Sequence, residues 1–209
     1  DASIMHGAQL DAGAVAGVTT VQSPIALARA VMEQSPHVML ASKGAEQFAR
    51  DLGIPEVSSA YFETERRKRA LESYKARKQA GVEPHVDHKF GTVGVVVLDS
   101  KGNLVAGTST GGMTGKRWGR IGDAPVIGAG TYADNRSCAV SATGHGEYFI
   151  RHTVARDICA RMQFAGQSLQ EAAETVITDE LVAAGGDGGV VAVDASGEVS
   201  MVFNTPGMY

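Results

Sequence analysis

The chain has few cysteines, few aromatic residues and no long apolar run, and each shortage excludes a class of protein. Only two of its 209 residues are cysteines, and 6% are aromatic. No apolar stretch approaches the roughly 20 residues that a membrane-spanning helix needs, so we expect no membrane partner. The formal net charge of -4 leaves no basic excess, which argues against nucleic acid as a partner.

The two cysteines show no spacing that is typical of a metal site. Cys138 and Cys159 lie in apolar surroundings, without a neighbouring cysteine pair or histidine cluster. This pattern predicts two reduced thiols in the core and no metal ion. A cytoplasmic location fits such thiols.

What the chain has in quantity is glycine and short apolar runs, as expected for one globular domain over residues 1–209. Residues 12–20 are small and apolar enough for a buried strand. Residues 23–36 predict a helix, because Ser23 can cap its start and Pro24 suits its first turn.

A charged segment divides the chain. Residues 61–89 are mostly basic and lack a sustained apolar stripe, so they predict a solvated linker whose beginning is helical. A nucleic-acid-binding arm is the less favoured interpretation of the same basic run.

Two similar hairpins follow, with two helices between them. Residues 91–110 and 188–205 share a run of valines, an aspartate and a glycine turn. Residues 145–166 and 168–186 are helical in pattern, and the second has a Ser-x-x-Glu capping box. Strands on both sides of a helical pair favour an α+β fold of stacked sheets with helices outside.

The first hairpin opens on a Gly-Thr pair, Gly91 and Thr92. A β-branched residue suits a strand start, and this is the simpler interpretation. A threonine hydroxyl is also a nucleophile if a base takes its proton, and its own α-amine is an economical base. Thr92 has that amine only if the Gly91–Thr92 bond is cut, and the linker that ends there would tolerate a cut.

Two glycine-rich turns carry threonine, and a third loop carries opposite charges. STGGM at 109–113 and ATGHGE at 142–147 could donate hydrogen bonds to a developing oxyanion, or could be a strand-end turn and a helix cap. Arg120 offers a planar fork to a carboxylate, and Asp123 could hold an ammonium group. A surface ion pair is the alternative for these two.

These motifs together resemble one known family. GTVGVVVLD, GNLVAGTSTGGM, GRIGDAPVIGAGTYADN, SATGHGE and FNTPGMY occur in this order, and the set is similar to the plant-type asparaginases and isoaspartyl aminopeptidases, threonine members of the N-terminal nucleophile hydrolases. The resemblance implies a four-layer αββα sandwich. It also implies self-cleavage into an α part ending at Gly91, with its linker at about 61–91, and a β part of 92–209. Two αβ units would form a dimer.

The same resemblance implies a role for each catalytic position. Thr92 would be nucleophile and amine base, and Thr110 would support its hydroxyl. Thr143 and Gly144 would form the oxyanion hole.

Substrate contacts are implied in the same way. Arg120 would bind the α-carboxylate of L-asparagine or a β-aspartyl dipeptide, Asp123 would bind its α-ammonium group, and Gly144 and Gly146 would line the pocket. Hydrolysis would pass through a β-aspartyl ester on Thr92, without a cofactor. His145 would be a wall of the pocket.

The family has a further segment ahead of the position of Asp1, with a strand, helices and a sodium-binding loop. Without it we expect an open strand edge and exposed apolar surface. Two alternatives to the hydrolase therefore stay open. One is a truncated, non-catalytic domain that binds aspartate-like ligands or a partner; the other is a glycosylasparaginase-like amidase, which fits less well because that branch has STNG where this chain has STGG.

Overall fold

The computed structural model describes residues 1–82, 91–206 and 208. Its strands form two stacked sheets, and helices cover the outer faces of both, which gives the predicted α+β sandwich with four layers. The end of the predicted linker, residues 83–90, lies outside the described residues.

The first sheet has five strands in the order β3-β2-β1-β5-β4. They are β1 (Ala2–His6), β2 (Asp11–Ala16), β3 (Met39–Ala41), β4 (Val93–Leu98) and β5 (Leu104–Ser109). Neighbours run antiparallel except β2 and β3, which are parallel. The central strand of this sheet is β1, which was not predicted because its apolar and polar residues do not clearly alternate.

The second sheet has four antiparallel strands in the order β6-β7-β8-β9. They are β6 (Thr131–Ala133), β7 (Cys138–Gly144), β8 (Gly188–Asp194) and β9 (Val199–Phe203). The hairpins predicted at 91–110 and 188–205 are β4-β5 and β8-β9, one in each sheet. The two sheets meet where β4 and β5 pack on β7 and β8.

Two helices cover the first sheet. They are α1 (Pro24–Gln34) and α2 (Ser42–Asp51). Leu27 and Val31 of α1 are fully buried, and the helix approaches β2 so closely that a methyl group at Gly13 would lie 2.6 Å from the Met32 nitrogen. Glycine at this position therefore allows the helix to lie on the strand.

The basic segment contains helix α3 (Glu65–Gln79), which begins at the Thr64 cap and has no buried residue. This confirms the prediction of a solvated segment with a helical beginning. The helix touches the body of the protein near the first hairpin, since the Arg67 guanidinium lies beside Gly91 and the Tyr74 ring beside Gly115.

The second sheet is covered by two helical runs. The first contains α4 (Gly146–His152) and α5 (Val154–Ala160), which continues as a π-helical stretch, Arg161–Ala165. The second runs from α6 (Leu169–Glu174) through a π-helical stretch, Thr175–Glu180, into α7 (Leu181–Ala183). The predicted capping box at Ser168 and Glu171 is present at the start of α6. The core is continuous from the facing sheets to these helices, with Phe149, Ile158 and Ile177 fully buried.

The prediction of two reduced thiols is wrong. Cys138 on β7 and Cys159 on α5 form a disulfide that ties the sheet to its covering helix. Their Cα atoms are 5.4 Å apart, within the range that a disulfide spans. A separation of 21 residues gave no sign of this proximity, which follows from α5 packing on β7. The cytoplasmic expectation loses the support that it drew from free thiols.

Within the described residues β4 ends its sheet, and the outward side chains of Val93, Val95 and Val97 are exposed. On β9, Val199, Met201 and Phe203 are exposed as well, while Val202 on the opposite side is buried. Across these residues, no helix is both long enough and apolar enough to cross a bilayer.

Candidate active site

Thr92 directly precedes β4 and lies beside Thr110, which directly follows β5. The strands pair with Val93 opposite Ser109, so the next residues outward face each other. The Thr92 hydroxyl donates to the Thr110 hydroxyl at 3.1 Å. The antiparallel register therefore brings together two threonines that are 18 residues apart.

Thr110 is itself held in place. Its hydroxyl also accepts from the Gly112 backbone N–H at 3.0 Å, and its own N–H donates to the Asp1 carbonyl at 2.9 Å. The turn in STGGM thus orients the hydroxyl that contacts Thr92.

The end of β7 lies at the same end of the sandwich as Thr92. Gly94 of β4 packs against Ser141 of β7, while Leu98 at the other end of β4 lies near Gly197 in the β8-β9 turn. Because Cys138 pairs with Asp194 at that far end, the Thr143 end of β7 is the one near Thr92.

Thr143 and Gly144 are the last residues of β7. The Thr143 hydroxyl oxygen is buried and has no hydrogen-bond partner among the described residues. A buried hydroxyl without a partner is costly unless another molecule satisfies it. The Thr143 hydroxyl is therefore available to donate a hydrogen bond to a group that binds at the end of β7.

Arg120 and Asp123 reach the same end from the loop between β5 and β6. A methyl group at Gly146 would lie 2.8 Å from Arg120 Nη2 and 3.0 Å from Asp123 Oδ1. Gly146 follows the end of β7 by two residues, so the cation and the carboxylate are adjacent to the Thr143–Gly144 turn. Only glycine leaves the space that this approach needs.

Asp123 is buried, and one of its carboxylate oxygens, Oδ2, has no hydrogen-bond partner among the described residues. Burial raises the pKa of Asp123 to about 6, and the positive charge of Arg120 partly offsets that rise. A buried carboxylate of this kind is well suited to bind a cationic group.

Arg120 is paired with Glu147, a residue to which the sequence analysis gave no role. Arg120 Nε and Nη2 donate to the two Glu147 oxygens at 2.9 and 2.8 Å. These hydrogen bonds raise the pKa of Arg120, and they lower the pKa of Glu147 to about 2. The alternative of a surface ion pair between Arg120 and Asp123 does not describe this loop, because Asp123 is buried and Arg120 pairs with Glu147. The only sign of Glu147 in the sequence was its place directly after Gly146 in the motif GHGE.

His145 lies on the outer side of the same pair. Its Nε2 atom is 3.2 Å from Glu147 Oε2, and its ring stands edge-on to Tyr148 with centroids 5.1 Å apart. His145 therefore contacts a residue of the site, in agreement with a pocket wall.

A chain of hydroxyl groups lies between the two sheets, beneath this end of the sandwich. Ser3 and Thr108 both bond to Thr131, and Thr108 bonds to Ser141, at 2.6 to 2.8 Å. Ser3 also donates to the carbonyl of Ala124, next to Asp123. The network links the Asp123 loop to the β7 residue on which Gly94 packs.

No group of three or more histidine, cysteine, aspartate or glutamate side chains is arranged to hold a metal ion in the part of the chain that the structure describes. The expectation that the protein works without a cofactor stays a prediction.

The chain is similar to known proteins of one family. A family profile described as asparaginase matches residues 1–209. The isoaspartyl peptidase of Escherichia coli (strain K12) is 51% identical over 216 residues, covering 100% of this chain and 67% of the relative. The isoaspartyl peptidase of Salmonella typhimurium is 50% identical, with 100% and 68% covered. The isoaspartyl peptidase/L-asparaginase of Bos taurus is 42% identical, with 100% and 67% covered. The chain belongs to the asparaginase family of N-terminal nucleophile hydrolases.

Proposed function

We propose that this chain cuts itself between Gly91 and Thr92 and then hydrolyses L-asparagine and β-aspartyl dipeptides, with Thr92 as the nucleophile. The hydrogen bond from the Thr92 hydroxyl to Thr110, at the same end of the sandwich as the Thr143–Gly144 turn and the Arg120–Asp123 loop, carries the proposal. The relatives named as isoaspartyl peptidases and asparaginases support the choice of substrate.

Self-cleavage transfers an acyl group from nitrogen to oxygen. The Thr92 oxygen attacks the Gly91 carbonyl carbon, the hydroxyl proton passes to the amide nitrogen, the C–N bond breaks, and that nitrogen leaves as the free amine of Thr92. Water then hydrolyses the ester, which releases Gly91 as a carboxylate and regenerates the hydroxyl. Thr110 supports the attack by accepting the hydrogen bond of the Thr92 hydroxyl.

Turnover uses the amine that cleavage creates. The amine takes the hydroxyl proton, and the oxygen attacks the side-chain carbonyl of the bound substrate. Thr143 and Gly144 stabilise the oxyanion of the tetrahedral intermediate. Ammonia or a peptide amine leaves with the proton, a β-aspartyl ester remains on Thr92, and water releases aspartate.

Substrate orientation depends on two charges of opposite sign. Arg120 binds the α-carboxylate and the buried Asp123 binds the α-ammonium group, beside Gly146. An α-amino acid with a free α-carboxylate meets both requirements. We also propose a dimer of αβ units, on the family resemblance alone, and light scattering of the processed protein tests it.

Mass spectrometry and an aspartate-release assay test the proposal together. We expect the purified chain to separate into 1–91 and 92–209 with time, and to release aspartate from asparagine. Thr92→Ala should stay intact and inactive, because it lacks the hydroxyl. Thr178→Ala, on the outer helical layer, should behave as the parent does, since the hydrogen bonds of Thr178 within the described residues are local ones to Glu174 and Asp179.

An intact chain without turnover contradicts the proposal. If that chain still binds aspartate, the non-catalytic ligand-binding alternative is favoured. Aspartate released only from glycosylated asparagine favours the glycosylasparaginase-like amidase.

A further inference from the structure

One side of helix α3 lies on the body of the protein. Four of its residues are half-buried and all the others are exposed; the four are Arg67, Ala70, Leu71 and Tyr74. Their spacing of three and four residues places them on one side of the helix. A helix whose sequence shows no sustained apolar stripe therefore has a defined contact face.

This contact face reaches the bond that self-cleavage breaks. The Arg67 guanidinium lies against Gly91, where an added methyl group would overlap Nη2 and would lie 3.5 Å from Cζ. About two turns further along the helix, a methyl group added at Gly115 would lie 2.8 Å from Tyr74 Cζ. Gly115 belongs to the loop that follows Thr110. The two contacts hold α3 between the Gly91 peptide and this loop.

The start of α3 fixes the backbone of Arg67. The Thr64 hydroxyl accepts from the Arg67 backbone N–H at 3.3 Å. Arg67 is the third residue of the helix, where the helix dipole favours an acid over a cation. Its exposed neighbour Lys68 pairs with Glu63 at 3.0 Å. The helix therefore gains no stability from the charge of Arg67, which faces the Gly91 peptide instead.

Self-cleavage creates a negative charge at Gly91. When the Thr92 oxygen attacks, the Gly91 carbonyl oxygen becomes the oxyanion of a tetrahedral intermediate, and donors aimed at it lower the barrier. That oxygen is two bonds from the Cα atom against which the guanidinium lies, so a rotation of the long Arg67 side chain brings an N–H group to it. A guanidinium also keeps its positive charge throughout the reaction.

We propose that Arg67 is a catalytic residue of self-cleavage, whose guanidinium binds the Gly91 carbonyl oxygen and stabilises the negative charge that forms there. The inference rests on the proposed function, in which Thr92 attacks Gly91. Arg67 neither gives nor takes a proton. The hydroxyl proton of Thr92 passes to the amide nitrogen, the C–N bond breaks, and water hydrolyses the ester. The carboxylate released at Gly91 then faces the same cation.

The rate of self-cleavage tests the inference. The chain is made in a cell-free system, and mass spectrometry follows the loss of intact chain with time. We expect Arg67→Ala to cleave about tenfold more slowly, less than the roughly hundredfold effect of a fully enclosed oxyanion donor, because water reaches a half-buried cation. Arg67→Lys keeps the charge without the planar fork and should lose about threefold.

Arg69→Ala is the matched control. It removes the same charge from the same helix, but Arg69 lies on the exposed side of α3. We expect its cleavage rate to stay within about twofold of the parent, because an exposed charge is screened by water and salt.

Chemical rescue separates a catalytic role from a structural one. Guanidinium chloride, at concentrations far below those that unfold the chain, should restore part of the cleavage rate of Arg67→Ala, because the ion replaces the missing group. Sodium chloride at the same ionic strength should not. A thermal melt accompanies each variant, and Arg67→Lys carries the test if Arg67→Ala does not fold.

Three results would overturn the inference: cleavage of Arg67→Ala within about twofold of the parent, equal slowing in Arg69→Ala, or no more rescue by guanidinium than by sodium chloride. Failure of the proposed function looks different, because the parent chain itself then stays intact.

Discussion

At the scale of single residues, Asp123 shows how burial prepares a binding group. Its carboxylate is enclosed by protein, with one oxygen lacking a hydrogen-bond partner among the described residues. An ionised group in this position has lost hydration that only a bound cation or the nearby Arg120 returns. The buried Asp123 carboxylate therefore destabilises the protein while it is unpaired, and for the same reason it favours the binding of a substrate ammonium group.

We expect substrate binding to weaken as the pH falls through about 6. Burial raises the pKa of Asp123 from 3.8 to about 6, so the acid is neutral below that pH and no longer attracts an ammonium group. The measurement is KM for asparagine between pH 5 and 8, with a rise of roughly tenfold for each pH unit below the pKa.

Asp123→Asn supplies the control for this pH dependence. The amide does not titrate in this range, so the variant should bind weakly at every pH and lose the acidic limb. An acidic limb that persists in Asp123→Asn would assign the titration to another group. The same substitution should raise the free energy of unfolding at pH 8 by about 1 to 3 kcal/mol, because the Asp123 carboxyl, whose pKa rises from 3.8 to about 6 on folding, destabilises the protein progressively between those two pH values and fully above them.

At the scale of elements, the stacking of β4 on β7 sets the distance between Thr92 and the turn at Thr143. The two strands lie close together at Gly94, where an added methyl would lie 3.0 Å from Ser141 Cβ and nearer still to its hydroxyl. The Ser141 hydroxyl is itself bonded to Thr108, so it has little freedom to move aside.

Gly94→Ala should therefore separate the two strands. We expect a loss of about 1 to 3 kcal/mol in the free energy of unfolding, from denaturant titration, together with slower self-cleavage on mass spectra. Gly44→Ala is the matched control, since an added methyl at this exposed position in α2 has no atom within 4 Å. That variant should be neutral or slightly more stable, as alanine favours a helix. Equal stability of the two variants would contradict a tight contact between the sheets.

At the scale of the whole molecule, two strands that end their sheets within the described residues expose apolar side chains. Val95 on β4 is 58% exposed, and Met201 on β9, in the other sheet, is 67% exposed. Unpaired strand edges beside apolar side chains promote association between molecules.

Val95→Lys should raise the concentration at which the purified chain remains monodisperse, because a charge on an edge strand opposes pairing between molecules. Light scattering over a concentration series gives the measurement. Phe164→Lys replaces another exposed apolar residue, 74% exposed on the helical side, and should change the onset much less. An equal gain from both variants would show that overall charge, not the strand edge, controls association.

Several features followed from the sequence because they depend on neighbours a few residues apart. Ser23 and Pro24 predict the start of α1, Ser168 and Glu171 cap α6, and the charge of residues 65–79 predicts a helix without a buried face. The order of the motifs also predicted the family and the four-layer αββα sandwich.

Other features were decided only by the tertiary structure, because they join residues far apart in the chain. Strand register places Thr92 on Thr110, helix packing brings Cys159 to Cys138, and the course of the loop after β5 puts Arg120 on Glu147, 27 residues away. No local pattern encodes such contacts, since each depends on how sheets and helices stack. For this protein the sequence determined which groups are available for chemistry, and the packing of the two sheets decided which of them meet.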